Sequence, residues 1–129
     1  IPDKPTNVKI SKWLPQEDVL RHPNIKLFIT QGGLQSMDEA IYSHVPMVGI
    51  PFLGDQQYNV RKMENMGFGL AIDPDELERD RFKQAISEVI NNPRYRNTLI
   101  ELAELARDQP MSGLEKAVWW TEYVIRHKG

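Results

Sequence analysis

The chain contains no cysteine, which removes disulfide frameworks and thiolate metal sites from consideration. No apolar run approaches the ~18 residues a membrane-spanning helix needs. Excess charge of one sign is missing too. Lysine and arginine number 16 against 18 acids, for a formal charge of −2, so no global field draws nucleic acid or an anionic membrane. There is no G-x-G-x-x-G after a first strand and no acidic residue ~20 positions beyond one. That disfavours an epimerase or oxidoreductase half. The three histidines, His22, His44 and His127, are scattered, and no His/Asp/Glu group has metal-ligand spacing. Each histidine reads as a surface or cap residue, and no metal is expected.

What remains is ordinary for a globular protein. The 129 residues are 40% hydrophobic and 26% charged, enough for one domain with a core. No repeat, low-complexity tract or linker divides residues 1–129. The opening, IPDKPTNVKI, is proline-rich with no capping element and reads as the start of a piece of a longer chain.

Short apolar runs alternate with helical patterns. Asn7–Ser11, Lys26–Thr30, Met47–Ile50 and Gly69–Ile72 read as strands. Helices are predicted at Gln16–Arg21, Ser36–His44, Asp55–Met66, Asp80–Asn91, Pro93–Asp108 and Ser112–His127, the last opening with Ser112 and Glu115 in capping-box spacing. Continuous rather than alternating apolar strands belong to a parallel sheet covered on both faces, so the expected class is α/β. Such sheets bind ligands beyond the carboxyl ends of their strands. The last helix carries Trp119 and Trp120 side by side. Adjacent helical positions point about 100° apart, so one is expected to pack on this domain and the other to face outward or meet a further domain.

Three strand exits hold unusual residues. After Thr30 come Gly32 and Gly33 and then a helix start, a seat for phosphate on free amides and a positive helix end. Equally, the glycines make only a turn, with Ser36 and Glu39 as a capping box. After Ile50, Asp55 and Gln56 sit together, an acid and an amide suited to sugar hydroxyls. Asp55 also serves as a plain N-cap. After Ser11, Trp13 stands by a proline ahead of Gln16. It offers a face for a nucleobase and an amide for its edge, or simply a core tryptophan. Read jointly, base, phosphates and sugar fall in an order that fits one nucleotide-sugar.

The strings WLPQ, FITQGGLQSMDEAI, VPMVGIPFLGDQ and DQP…AVWWTEYVIRHKG resemble the nucleotide-sugar half of the UDP-glycosyltransferases, in particular the animal UDP-glucuronosyl/glucosyltransferase group. The TQGGLQS spelling points to an insect or other arthropod member, and the likeness spans essentially the whole chain. It implies a Rossmann-like parallel sheet with helices on both faces, the C-terminal half of a two-domain GT-B glycosyltransferase with its first strand missing.

The resemblance also implies roles. Trp13 stacks on uracil and Gln16 contacts the base. Gly33 and Ser36 lie beside the diphosphate, with Gly32 in the same turn. Glu39 holds the ribose hydroxyls, and Asp55 and Gln56 contact the transferred sugar. Gln31 stands where a phosphate-binding histidine is usual. A neutral amide gives a weaker bond to phosphate than a cationic donor, yet the loop amides and helix end remain, so diphosphate binding is expected to persist.

The implied reaction is inverting transfer of a hexose, with glucose favoured and glucuronate possible, from UDP-glucose or UDP-glucuronate to a hydroxyl of a small lipophilic acceptor. No cofactor or metal is implied. The catalytic base and acceptor site would belong to an N-terminal domain outside this chain, and a membrane tail would follow it. The implied setting is the lumenal side of the endoplasmic reticulum membrane, in detoxification. By itself the chain would be a UDP-sugar-binding module without catalytic activity.

Overall fold

A computed structural model describes residues 3–128. Its centre is a three-stranded parallel sheet in the order β1 (Phe28–Thr30), β2 (Met47–Gly49), β3 (Gly69–Ala71). The register runs Phe28–Met47–Gly69 through Thr30–Gly49–Ala71. Around it lie α1 (Gln16–Leu20), α2 (Leu34–Tyr42), α3 (Gln56–Asn65), α4 (Arg79–Asn91), α5 (Arg94–Arg107) and α6 (Gly113–His127), with a 3₁₀ turn at Pro74–Glu76.

Successive residues of a strand face opposite sides of the sheet, and β2 uses this to build two cores. Met47 packs among Met37 and Ala40 of α2, Val60 and Met63 of α3, and Leu99 of α5. Val48 packs with Ala85 and Val89 of α4 and Tyr95 at the start of α5. Met47, Val48, Val60, Met63 and Leu99 are all fully buried. The expected sheet covered on both faces is therefore what forms, and the apolar runs are continuous because neither face of β2 meets water.

Helices α2 and α3 end alike. After α2, the His44 amide donates to the Ile41 carbonyl and the Val45 amide to that of Ala40. After α3, Gly67 bonds Glu64 and Phe68 bonds Met63 in the same pattern. This paired closure needs a left-handed residue past the helix end. Gly67 supplies it with φ 77°, and His44 is held at φ 56°. Arg107 of α5 donates to the Tyr42 carbonyl at 3.2 Å, placing a cation at the negative end of α2.

Three expectations are corrected. Asn7–Ser11 forms no strand: it is exposed throughout, pairs with no neighbour, and its one backbone bond is a local turn from the Val8 amide to the Pro5 carbonyl. Helix α2 begins at Leu34 with Gly33 as its N-cap and no side-chain cap, so Ser36 lies within the first turn. Neither Trp119 nor Trp120 packs on the domain. Helix α6 carries no buried residue, and its aromatic rings pack on one another, Trp119 and Trp120 edge-on with centroids 4.8 Å apart. Its predicted capping box is present, Ser112 and Glu115 bonding each other's backbone amides. Among the described residues no helix is long and apolar enough to cross a membrane.

Candidate functional site

Beyond the carboxyl end of β1 the chain turns through Gln31, Gly32 and Gly33 into α2. The Gly32 amide donates to Thr30 Oγ1 at 3.1 Å and so is already engaged. Gly32 has φ +90°, and a Cβ there would lie 2.4 Å from Val60 and 3.1 Å from the Gln56 carbonyl. Only glycine fits, because the loop presses directly on the start of α3. The first intrahelical bond of α2 runs from Met37 to the Gly33 carbonyl, which leaves the amides of Leu34, Gln35 and Ser36 for an outside acceptor. Gln31 is exposed at the head of this turn.

Against that first turn lies the segment before α1. Gln16 Nε2 donates to Ser36 Oγ at 3.1 Å and to Glu39 Oε2 at 2.8 Å. Twenty residues of sequence thus close into a partly buried triad, one amide holding a hydroxyl and a carboxylate. Glu39 is turned to Gln16, not back onto its own helix start. Trp13 stands over the cleft at 86% exposure, so it is no core tryptophan. Ser11 Oγ donates to the Trp13 carbonyl at 2.7 Å and sets the turn that presents it. Residues 11–18 with Gln35, Ser36 and Glu39 enclose a cleft of about 650 Å³. No strand leads into residues 11–18, so α1, not the sheet, places this first loop. The cleft still forms at the start of α2.

Asp55 and Gln56 do not line that cleft. Asp55 sits at the N-cap position of α3 without capping it. Its Oδ2 accepts from Asn59 Nδ2 at 2.8 Å, and the same nitrogen donates to the Gly32 carbonyl at 3.0 Å. Gln56 Oε1 accepts from the amides of Phe52 and Leu53 at 2.9 and 3.0 Å, which ties its oxygen to its own loop and leaves the NH₂ group to donate. Two clusters therefore flank one peptide turn: Trp13, Gln16, Ser36 and Glu39 on one side, Asp55 and Gln56 on the other, with Gly32 and Gly33 between. Asn59 was missed by the sequence reading. The sequence shows only a polar residue four positions after Asp55 and beside Val60; its burial, to 7% exposure, and its two partners come from the fold.

The histidines sit elsewhere. His22 is exposed and its Nδ1 accepts from the Asn24 amide. His44 closes the far end of α2, and His127 packs on Tyr123 of α6.

A parallel layer with an open helix start at its strand exits is the Rossmann-like α/β fold of the GT-B glycosyltransferases. The glycotransferase of kitacinnamycin shares it, with a TM-score of 0.75 and 31% identity over 81% of this chain and 26% of that one. The chain belongs to the family described as UDP-glucoronosyl and UDP-glucosyl transferase, whose profile matches residues 3–129. It is 46% identical to UDP-glycosyltransferase UGT5 of Dactylopius coccus, over 100% of this chain and 24% of the relative. It is 48% identical to the ecdysteroid UDP-glucosyltransferase of Spodoptera littoralis nuclear polyhedrosis virus, over 97% of this chain and 24% of that protein. The chain thus spans about a quarter of the length of these relatives.

Proposed function

We propose that the chain is the donor-binding domain of an inverting UDP-glycosyltransferase that moves a hexose to a hydroxyl of a small lipophilic acceptor. The triad of Gln16, Ser36 and Glu39 under an exposed Trp13 carries this reading. A uracil ring lies on Trp13, with Gln16 at its edge, and Glu39 accepts from the ribose hydroxyls. The diphosphate lies at the start of α2, on the amides of Gly33, Leu34, Gln35 and Ser36, with the Gln31 side chain as a further donor. Gly32 contributes shape, its own amide being engaged by Thr30. The sugar then reaches Asp55 and the Gln56 NH₂.

As the bond from sugar to diphosphate breaks, negative charge grows on the leaving phosphate. Fixed amides and a helix end stabilise that charge without reorganising, and Asp55 and Gln56 hold the sugar for attack from its other face. No metal is assigned a role. The base that takes the acceptor's proton belongs to a part of the enzyme outside this chain, in keeping with the placement of all three histidines away from the cleft. The chain on its own is therefore a binding module, silent in catalysis. The enzyme's place is the lumenal side of the endoplasmic reticulum membrane, in conjugation of lipophilic compounds.

Glucose is the favoured sugar, supported by the naming of the viral relative. The first base after Asp55–Gln56 is Arg61, a turn further along α3, where it lines a polar crevice with Glu64, Asp73 and Glu76. Calorimetric titration of the chain with UDP, UDP-glucose and UDP-glucuronate tests this. Binding of UDP with UDP-glucose preferred is expected; preference for UDP-glucuronate overturns the sugar, and no binding of any at millimolar concentration overturns the domain's role.

A further inference from the structure

We propose that Asn59 is a positioning residue that sets both the phosphate-facing amide and the sugar-facing carboxylate of the donor site. This rests on the donor-site reading above and adds a part to it.

Asn59 is buried to 7% exposure in α3, and its Nδ2 donates to the Gly32 carbonyl at 3.0 Å and to Asp55 Oδ2 at 2.8 Å. A trans peptide points its carbonyl and its following N–H in opposite directions. Holding the Gly32 carbonyl toward α3 therefore turns the Gly33 N–H away from α3, toward the side where the first turn of α2 opens. This peptide lies between two glycines, the flanking residues least able to resist its rotation. Van der Waals contact from Val60 fixes the position of Gly32, but contact alone does not choose which way the peptide faces. The hydrogen bond from Asn59 does.

The second bond acts on Asp55. With Oδ2 held by Asn59, the carboxylate has one fixed orientation and Oδ1 is left for a sugar hydroxyl. One side chain thus couples the two halves of the site that contact different parts of the donor. A carboxylate at position 59 has no hydrogens to give and would repel Asp55.

The test compares the wild-type chain with Asn59→Ala by NMR titration, using uridine, UDP and UDP-glucose. Uridine reaches only the Trp13 side and should bind both proteins within about twofold. UDP should weaken about tenfold and UDP-glucose more, the scale of one lost buried hydrogen bond per contact. The Gly33 amide resonance should broaden or shift in the free variant. Equal loss for all three ligands, or no loss for any, overturns the proposal. If Asn59→Ala does not fold, Asn59→Ser carries the same expectation of graded loss. Should the wild type bind no UDP, the donor-site reading falls and this falls with it. Normal UDP binding by a folded Asn59→Ala removes the role of Asn59 alone.

Discussion

His44 shows how a single residue can work against its own fold. It closes α2 at φ 56°, in the closure that Gly67 completes after α3, and a side chain in that region costs about 1–2 kcal/mol. Its Nε2 is buried without a hydrogen-bond partner. Burial, with Arg107 and Arg96 beside it and only Glu104 opposing, lowers its pKa below the usual histidine value. The unfolded chain therefore binds the proton more readily, and stability falls as pH drops through the ordinary histidine range near 6.5. His44→Gly relieves the strain and removes this group's titration. It should raise the melting temperature by about 3 °C at pH 7, and by more at pH 5.5; an unchanged or lower value at both pH values refutes the account. The sequence offers His44 as a surface or cap residue at the end of this helix, but its left-handed backbone and buried Nε2 were not legible there. The same holds for Asn59, whose two partners are set by where Gly32 lands against α3. Trp13, Gln16 and Glu39 were singled out as candidates through the resemblance to a known family, whereas the bonds from Gln16 to Ser36 and Glu39, which join segments twenty and more residues apart, were not foreseen.

Elements were legible where the pattern is local and mistaken where a partner decides. The apolar run ending at Thr30 becomes β1 because β2 pairs with it; Asn7–Ser11 has similar composition and no paired neighbour, so it stays irregular. The start of α2 moved from Ser36 to Leu34 because Gly33 can take the N-cap conformation with no side chain, freeing Ser36 and Glu39 for Gln16. In α6 the capping box was read correctly, since it needs only residues three apart, but the packing of its tryptophans was not. With no buried residue, α6 adds little to the body of the domain. Truncation after residue 108 should leave the main melting transition within about 2 °C. Ser112→Ala should lower only the helical signal attributable to α6, through loss of a cap of about 1 kcal/mol. A large drop in the melting temperature on truncation would mean that α6 packs on the core.

At the scale of the molecule, alternating apolar strands and helices foretold a parallel sheet covered on both faces, and the two cores flanking Met47 and Val48 have that form. The meeting of the loops was foretold for a partly wrong reason. The Trp13 loop is held by α1 against α2, not by a strand exit, and Asp55 reaches the same turn through Asn59. The proposed donor-binding role requires a ligand lying across that turn. The most direct measurement is calorimetric titration of UDP into the wild-type chain and into Glu39→Gln, which keeps the side chain's shape but removes the carboxylate to which the proposal assigns the ribose. Saturable one-to-one binding by the wild type, weakened more than about tenfold in Glu39→Gln with the melting temperature nearly unchanged, is predicted. No wild-type binding at millimolar UDP, or equal affinity in the two proteins, would contradict it.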